Sequence, residues 1–241
     1  MRRDPDPGAP RVVTWGIGDF LLAWFVGLLA LVAVSGFLPA GKPTPLASAV
    51  MLTVQDLASI AWLVLVSRRK GRGSLGADFG LTAGLDRIWT SVLPFVGLGV
   101  AVQVVVLQPL AWLQSLLPTD QTQSLVEDIK KGSGVGVVVL GLVAILVAPL
   151  AEELLFRGVL LRSLLRHFEP GVAVFVSATI FAGVHPLLDP SWAQVIAFPA
   201  LLLVGLICGF LAVRSGNLWR SVAVHVGFNA VPIVLLLVFG G

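Results

Sequence analysis

Residues 137–161 read VVVLGLVAILVAPLAEELLFRGVLL, an apolar run that carries two adjacent carboxylates, Glu152 and Glu153, and one arginine, Arg157. Roughly 20 apolar residues in a helix cross a hydrocarbon core of about 30 Å, so this run spans a bilayer. An ionised side chain near the centre of such a helix costs about 2.5–3.5 kcal/mol on insertion scales, and a pair therefore calls for partners and for a function. The spacing supplies one partner. Glu153 and Arg157 lie four apart on one helical face, with the acid amino-terminal, the favoured order for an ion pair. Glu152 projects about 100° away and has to find its partners on other helices. On this stretch alone, a functional carboxylate and a paired doublet anchoring a helix end are equally open.

The rest of the chain belongs to the same solvent. Of 241 residues, 57% are hydrophobic and 12% charged, and the mean hydropathy is +0.97. These values exclude an ordinary soluble domain and indicate a single integral membrane domain over residues 1–241. Apolar segments of spanning size run over about 15–38, 46–67, 88–117, 135–166, 172–185, 192–213 and 218–239. The expected fold is all-α: a polytopic transmembrane helix bundle of seven to eight membrane helices with an intramembrane cavity. The first segment exceeds a signal-peptide core of about 7–15 residues and reads as a retained helix behind a short cytoplasmic tail, residues 1–14. Pro94, Pro109 and Pro149 are expected kink sites, and Ala182-Gly-Val-His-Pro186 followed by Leu187-Leu-Asp-Pro190 suggests that the fifth segment breaks at membrane depth. Residues 71–84 read as a glycine-rich linker, and residues 118–131 as a polar loop or surface helix.

Charge sets the orientation. The net charge is +3, and the basic residues are scattered through short loops rather than gathered on a nucleic-acid-binding face. With an inward amino terminus, seven spans put all of the 16 Lys and Arg residues on the inner side except Lys42, Lys130 and Lys131. That positive-inside bias is expected of a cell-membrane protein with a cytoplasmic amino terminus. Cys208 is the one cysteine, so no disulfide forms within the chain, and it reads as a packing residue beside Gly205 and Gly209.

Two of the three histidines lie within apolar segments: His185 follows Phe181 by four residues, and His225 precedes Asn229 by four. Residues four apart project from one helix face, and polar side chains in a bundle turn inward. A structural hydrogen bond explains a lone buried histidine; two such histidines with an asparagine and a glutamate make a shared polar site the better reading. Gln55, Asp56, Gln103 and Gln108 read as interhelical hydrogen-bonding residues, and Gly205-x-x-x-Gly209 as a close-packing motif.

Taken in order, Glu152-Glu153-x-x-x-Arg157, Phe181-x-x-x-His185 and His225-x-x-x-Asn229 resemble the three motifs of the CPBP family of intramembrane proteases. That family includes type II CAAX prenyl endopeptidases and bacteriocin-processing and immunity proteins. The resemblance covers residues 149–232 and leaves the first three segments without a match. It implies catalytic core helices over 135–239 and a metal-free, cofactor-free glutamic endopeptidase. Glu152 would be the base that activates water, His185 would help hold that water, and His225 and Asn229 would stabilise the oxyanion. Glu153, Arg157 and Phe181 would support them. The expected partners are the lipid bilayer and a peptide or protein substrate, membrane-anchored ones included. Two alternatives stay open: a zinc peptidase, although no H-E-x-x-H is present, and a non-catalytic immunity or scaffold protein with the same polar residues.

Overall fold

A computed structural model describes residues 13–39, 41–81, 92–116, 127, 129 and 134–239. The described residues form helices and turns and no strand. Helix α1 spans Ile17–Ser35, α2 Pro45–Lys70, α3 Leu75–Phe79, α4 Leu93–Ser115, α5 Val135–Leu164, α6 Pro170–Leu188, α7 Trp192–Ser215 and α8 Leu218–Phe239. Six of them, α1, α2, α5, α6, α7 and α8, are long and apolar enough to cross a membrane, and α4 contributes a shorter apolar stretch over Leu93–Val106. The expected polytopic helical bundle is the one observed. The tail at residues 1–12, most of the segment at 118–131, residues 88–91 of the third segment and the side chain of Gln108 lie outside the described residues.

Lipid accounts for the outward faces. Leu21, Phe25, Leu29, Val105 and Phe210 are more than half exposed, as they would be against acyl chains. Inside the bundle, close approach depends on glycine. A Cβ on Gly99 of α4 would collide with the carbonyl of Val224 on α8, and one on Gly227 of α8 with the carbonyl of Val96 on α4. This reciprocal pair lets two backbones touch, the small-residue packing of membrane helices. On α7, Gly205 faces Ala178 and Gly209 faces Val174, so the glycine motif read from sequence seats α7 on α6. Cys208 lies between them, fully buried, and Ser221 Oγ donates to its carbonyl at 2.8 Å, which ties α7 to α8.

Three local expectations change. Pro186 does not break α6: the helix runs on to Leu188, and so near its end the proline removes a single intrahelical bond, the one to Ala182 O. Pro94 starts α4 rather than kinking it, because a first-turn N–H has no intrahelical acceptor to lose. Residues 71–81 are no slack linker. They hold α3, capped by Ser74, whose hydroxyl accepts from Ala77 N, and closed by Gly80 at φ +89°, with Phe79 wholly buried.

Two apolar clusters frame the polar centre. Val137, Leu140, Val143 and Ala144 of α5 pack with Ala49, Ile129 and Ile233. Further along the same helix, Leu154 to Leu164 pack with Phe20, Leu63, Phe79, Phe181 and Val204. The carboxylates lie on α5 between these clusters.

Candidate active site

Helix α5 is continuous but not uniform. Val143–Val147 and Leu154–Leu161 wind in π register on either side of Ala148–Glu153. Such widened turns leave carbonyls without their usual partners and concentrate at functional sites. In the first of them the N–H of Ala148 bonds back to Val143 O. The next donor in that register would be residue 149, which is proline and has no N–H for Ala144 O. Asn229 of α8 takes its place, its Nδ2 donating to Ala144 O at 3.0 Å. In the second stretch, Ser177 of α6 donates its hydroxyl to Phe156 O at 3.1 Å. Neighbouring helices thus repair the irregular backbone, and the repair positions Asn229.

The two glutamates differ sharply. Glu153 is fully buried, and its Oε1 accepts both from Arg157 Nη1 at 2.9 Å and from His225 Nδ1 at 3.0 Å. Arg157, 1% exposed, also donates Nη2 to Gly205 O at 3.1 Å and lies 4.4 Å over the Phe181 ring. A buried charge needs this density of partners, since an unpaired one costs several kcal/mol. Glu152 keeps 28% of its side chain accessible, and its Oε2 stands 3.5 Å from His225 Nε2 with no hydrogen bond of its own among the described residues. His225, 2% exposed, therefore bridges both acids, one at each ring nitrogen.

His185 is half-buried and sits differently. Its Nδ1 donates to Phe181 O at 2.8 Å, and since a carbonyl only accepts, that nitrogen carries the proton. The Phe181 ring meets His185 and His225 edge-on, with centroids 5.0 and 5.5 Å away, and so stands between the two histidines. The structure brings Glu152, Glu153, Arg157, Phe181 and His225 into one contact network and joins Asn229 to it through α5. His185 enters only through Phe181.

Residues 134–231 match the family described as Type II CAAX prenyl endopeptidase Rce1-like. Over those 98 of its 241 residues the chain is similar to the CAAX protease family. The match takes in α5, α6, α7 and most of α8, and with them all three motifs; α1 to α4 lie outside it. Neither curated proteins nor solved structures offer a significant match. The six apolar helices make the chain a multi-pass membrane protein, and the likeness to a protease family supports a peptide or protein substrate.

One polar residue outside the motifs reaches this polar centre. Helix α2 packs against Ala148–Glu153, and its Asp56 is 8% exposed with an Oδ2 that has no hydrogen-bond partner among the described residues. An ionised Asp56 would repel an ionised Glu152. Its position in the middle of an apolar helix was the available signal, but an ordinary interhelical hydrogen bond leaves the same trace in sequence. Among the described residues, no group of three or more His, Cys, Asp and Glu side chains is arranged to hold a metal ion.

Proposed function

We propose that the protein is an intramembrane endopeptidase that hydrolyses a peptide bond with a water activated by Glu152. The observation that carries this reading is the division between the glutamates: Glu153 is wholly buried and held by Arg157 and His225, while Glu152 accepts no such ion pair from its own helix and keeps 28% of its side chain accessible. A base must reach water, and a carboxylate locked in an ion pair cannot.

In this reading Glu152 takes a proton from water as the hydroxide oxygen attacks the carbonyl carbon of the scissile bond. The carbonyl π electrons move to oxygen. Asn229 has a second N–H beyond the one given to Ala144 O, and that N–H stabilises the oxyanion. His225 donates from Nε2, which requires the ring to carry both protons, because Nδ1 already donates to Glu153. Each such donor contributes about 10²–10³ in rate. When the tetrahedral intermediate collapses, the C–N bond breaks and Glu152 returns its proton to the departing amine. The products are a carboxylate terminus and an amine terminus. With Nδ1 protonated, His185 Nε2 offers a lone pair that can hold the water. Arg157, Glu153 and Phe181 position the reacting groups and touch no substrate.

The test compares membrane peptides by mass spectrometry between cells carrying the wild-type chain and Glu152→Gln, with protein levels matched. Peptides produced only by the wild type are expected. Identical peptide profiles, with the phenotype kept, would leave a non-catalytic binding role. Purified enzyme treated with a chelator addresses the zinc alternative: activity lost on chelation and restored by zinc would overturn the metal-free mechanism.

A further inference from the structure

A second polar site lies at the other end of α5, where α1 begins and α2 ends. A cleft of about 440 Å³ is lined by Val13, Trp15, Arg72, Asp78, Arg162 and Arg166, together with Ala77 and Leu165. Its volume falls in the range of about 300–1,000 Å³ common to small-ligand sites. Neither the three motifs nor the family match assigns anything to its walls from α1 to α3.

The cleft's charges do not cancel. Arg72 Nη1 donates to Ala77 O at 3.2 Å, Arg162 Nη2 to Gly216 O at 2.9 Å and Arg166 Nη1 to Trp15 O at 2.6 Å. These acceptors are neutral carbonyls, so each guanidinium is aimed but none is neutralised, and each has further N–H groups to offer. Arg166 is also held 4.4 Å over the Trp15 ring. Among the described residues Asp78 is the one carboxylate in the lining, and it already accepts several hydrogen bonds. Its oxygens accept from Ser67 Oγ at 2.6 Å, from the Arg72 backbone N–H at 2.9 and 3.0 Å, and from Trp15 Nε1 at 3.4 Å. The nearby Lys70 is paired with Asp19 at 2.7 Å. Among the described residues three cations face one anion, an excess of two positive charges, and Arg162 meets the repulsion of Arg72 as well as the attraction of Asp78. Holding like charges together without a counter-charge is unfavourable.

We infer that this cleft binds the phosphodiester headgroup of an anionic phospholipid. Guanidinium groups grip phosphate oxygens with paired N–H donors, which ammonium groups cannot do in the same geometry. The location favours a lipid over a soluble anion: the cleft lies where α1 begins and α2 and α5 end, three helices long and apolar enough to cross a membrane, with Val13 and Leu165 beside the charges to meet the glycerol and first acyl carbons. Anchoring a headgroup there would fix the end of α5, the helix that carries Glu152.

The test uses the full chain in nanodiscs of phosphatidylcholine with a fraction of phosphatidylglycerol, counting lipids retained on the protein by native mass spectrometry. Wild type is expected to retain phosphatidylglycerol at least tenfold over phosphatidylcholine. Arg72→Gln with Arg166→Gln should abolish the preference, while Arg68→Gln with Arg69→Gln, an equal loss of charge at the same end of α2 but outside the cleft, should leave it intact. Because Arg166 also braces Trp15, Arg72→Gln alone serves as the second variant; its backbone bond to Asp78 survives, and it should lower retention severalfold without changing the unfolding temperature. Equal losses in both double variants would reduce the effect to surface charge and overturn the proposal. So would equal retention of the two lipids. Displacement of phosphatidylglycerol by millimolar inorganic phosphate would replace the lipid with a free-anion site. Glu152→Gln should bind phosphatidylglycerol like the wild type, so the outcome does not depend on the catalytic reading.

Discussion

Helix α5 passes through two charged layers that the protein builds in opposite ways. In the inner layer Glu153, Arg157 and His225 meet within about 3 Å and are sealed from solvent. At the arginine-rich end, Arg162 and Arg166 lean on carbonyl oxygens and keep their charge open to solvent or a ligand. The inner layer is a closed account of charge, in which removing one member strands another. The outer layer is open, and water can stand in for a lost contact. Position along one helix thus decides whether an arginine is structural or available.

The largest expected effect breaks the inner layer. Arg157→Met leaves the Glu153 carboxylate buried with only His225 beside it, and should destabilise the protein by about 3–5 kcal/mol. Arg72→Gln in the outer layer should cost less than about 1 kcal/mol. Thermal unfolding in detergent reads both. If Arg157→Met unfolds no earlier than Arg72→Gln, the contrast between the layers is wrong.

The next effect sharpens the contrast within the inner layer. Glu152→Gln should lower turnover by about 10²–10⁴ with an almost unchanged unfolding temperature, the loss typical of a missing base. Glu153→Gln should lower both, because its carboxylate holds Arg157 and His225 together. Turnover of a purified substrate and unfolding temperature, measured on the same preparations, separate the two roles. A Glu152→Gln variant that unfolds as readily as Glu153→Gln would make both glutamates structural.

What the sequence discloses follows the range of the interaction. The bilayer demands about 20 apolar residues per crossing, so the helices were visible as segments. The Glu153–Arg157 pair was visible because it repeats the pitch of its own helix. The His225–Glu153 contact was not, since it depends on how closely α8 approaches, which the Gly99 and Gly227 contact sets. Sequence reading gave His225 to the oxyanion alone; its second bond, to Glu153, makes it also a bridge between the acids. Helix α3 was hidden by its glycines, although Ser74 and Gly80 stand where a cap and a stop belong. The break expected over Ala182–Pro190 falls at its far end: α6 continues through Pro186 at the loss of one intrahelical bond and stops at Leu188, before Asp189 and Pro190.

A smaller effect concerns how the inner layer is held in register. Pro149→Ala restores an N–H that can reach back to Ala144 O, the carbonyl Asn229 now serves. The helix should gain stability, and Asn229 should lose its anchor. Unfolding temperature is expected to rise while turnover falls about tenfold, less than the 10²–10³ expected for removing the amide by Asn229→Ala. A Pro149→Ala enzyme with full turnover would mean that Asn229 is positioned without this bond.

The smallest expected effect, and the one with the opposite sign, belongs to Asp56. Glu153 has Arg157 and His225 as counterparts; Asp56 has an oxygen without a hydrogen bond and an acidic neighbour in Glu152. A buried polar atom left unsatisfied costs about 1–3 kcal/mol, so nothing about stability favours an acid at this position. Asp56→Asn keeps the shape and removes the charge, and is expected to raise stability by about 1 kcal/mol. If the acid is retained for its effect on Glu152, turnover should fall in the same variant, with a changed pH profile, while binding of substrate holds. Such a trade of stability against activity is what a functional carboxylate in a dry site produces. Lower stability with unchanged turnover would instead make Asp56 a structural partner of α5, and would return the site to the motif residues alone.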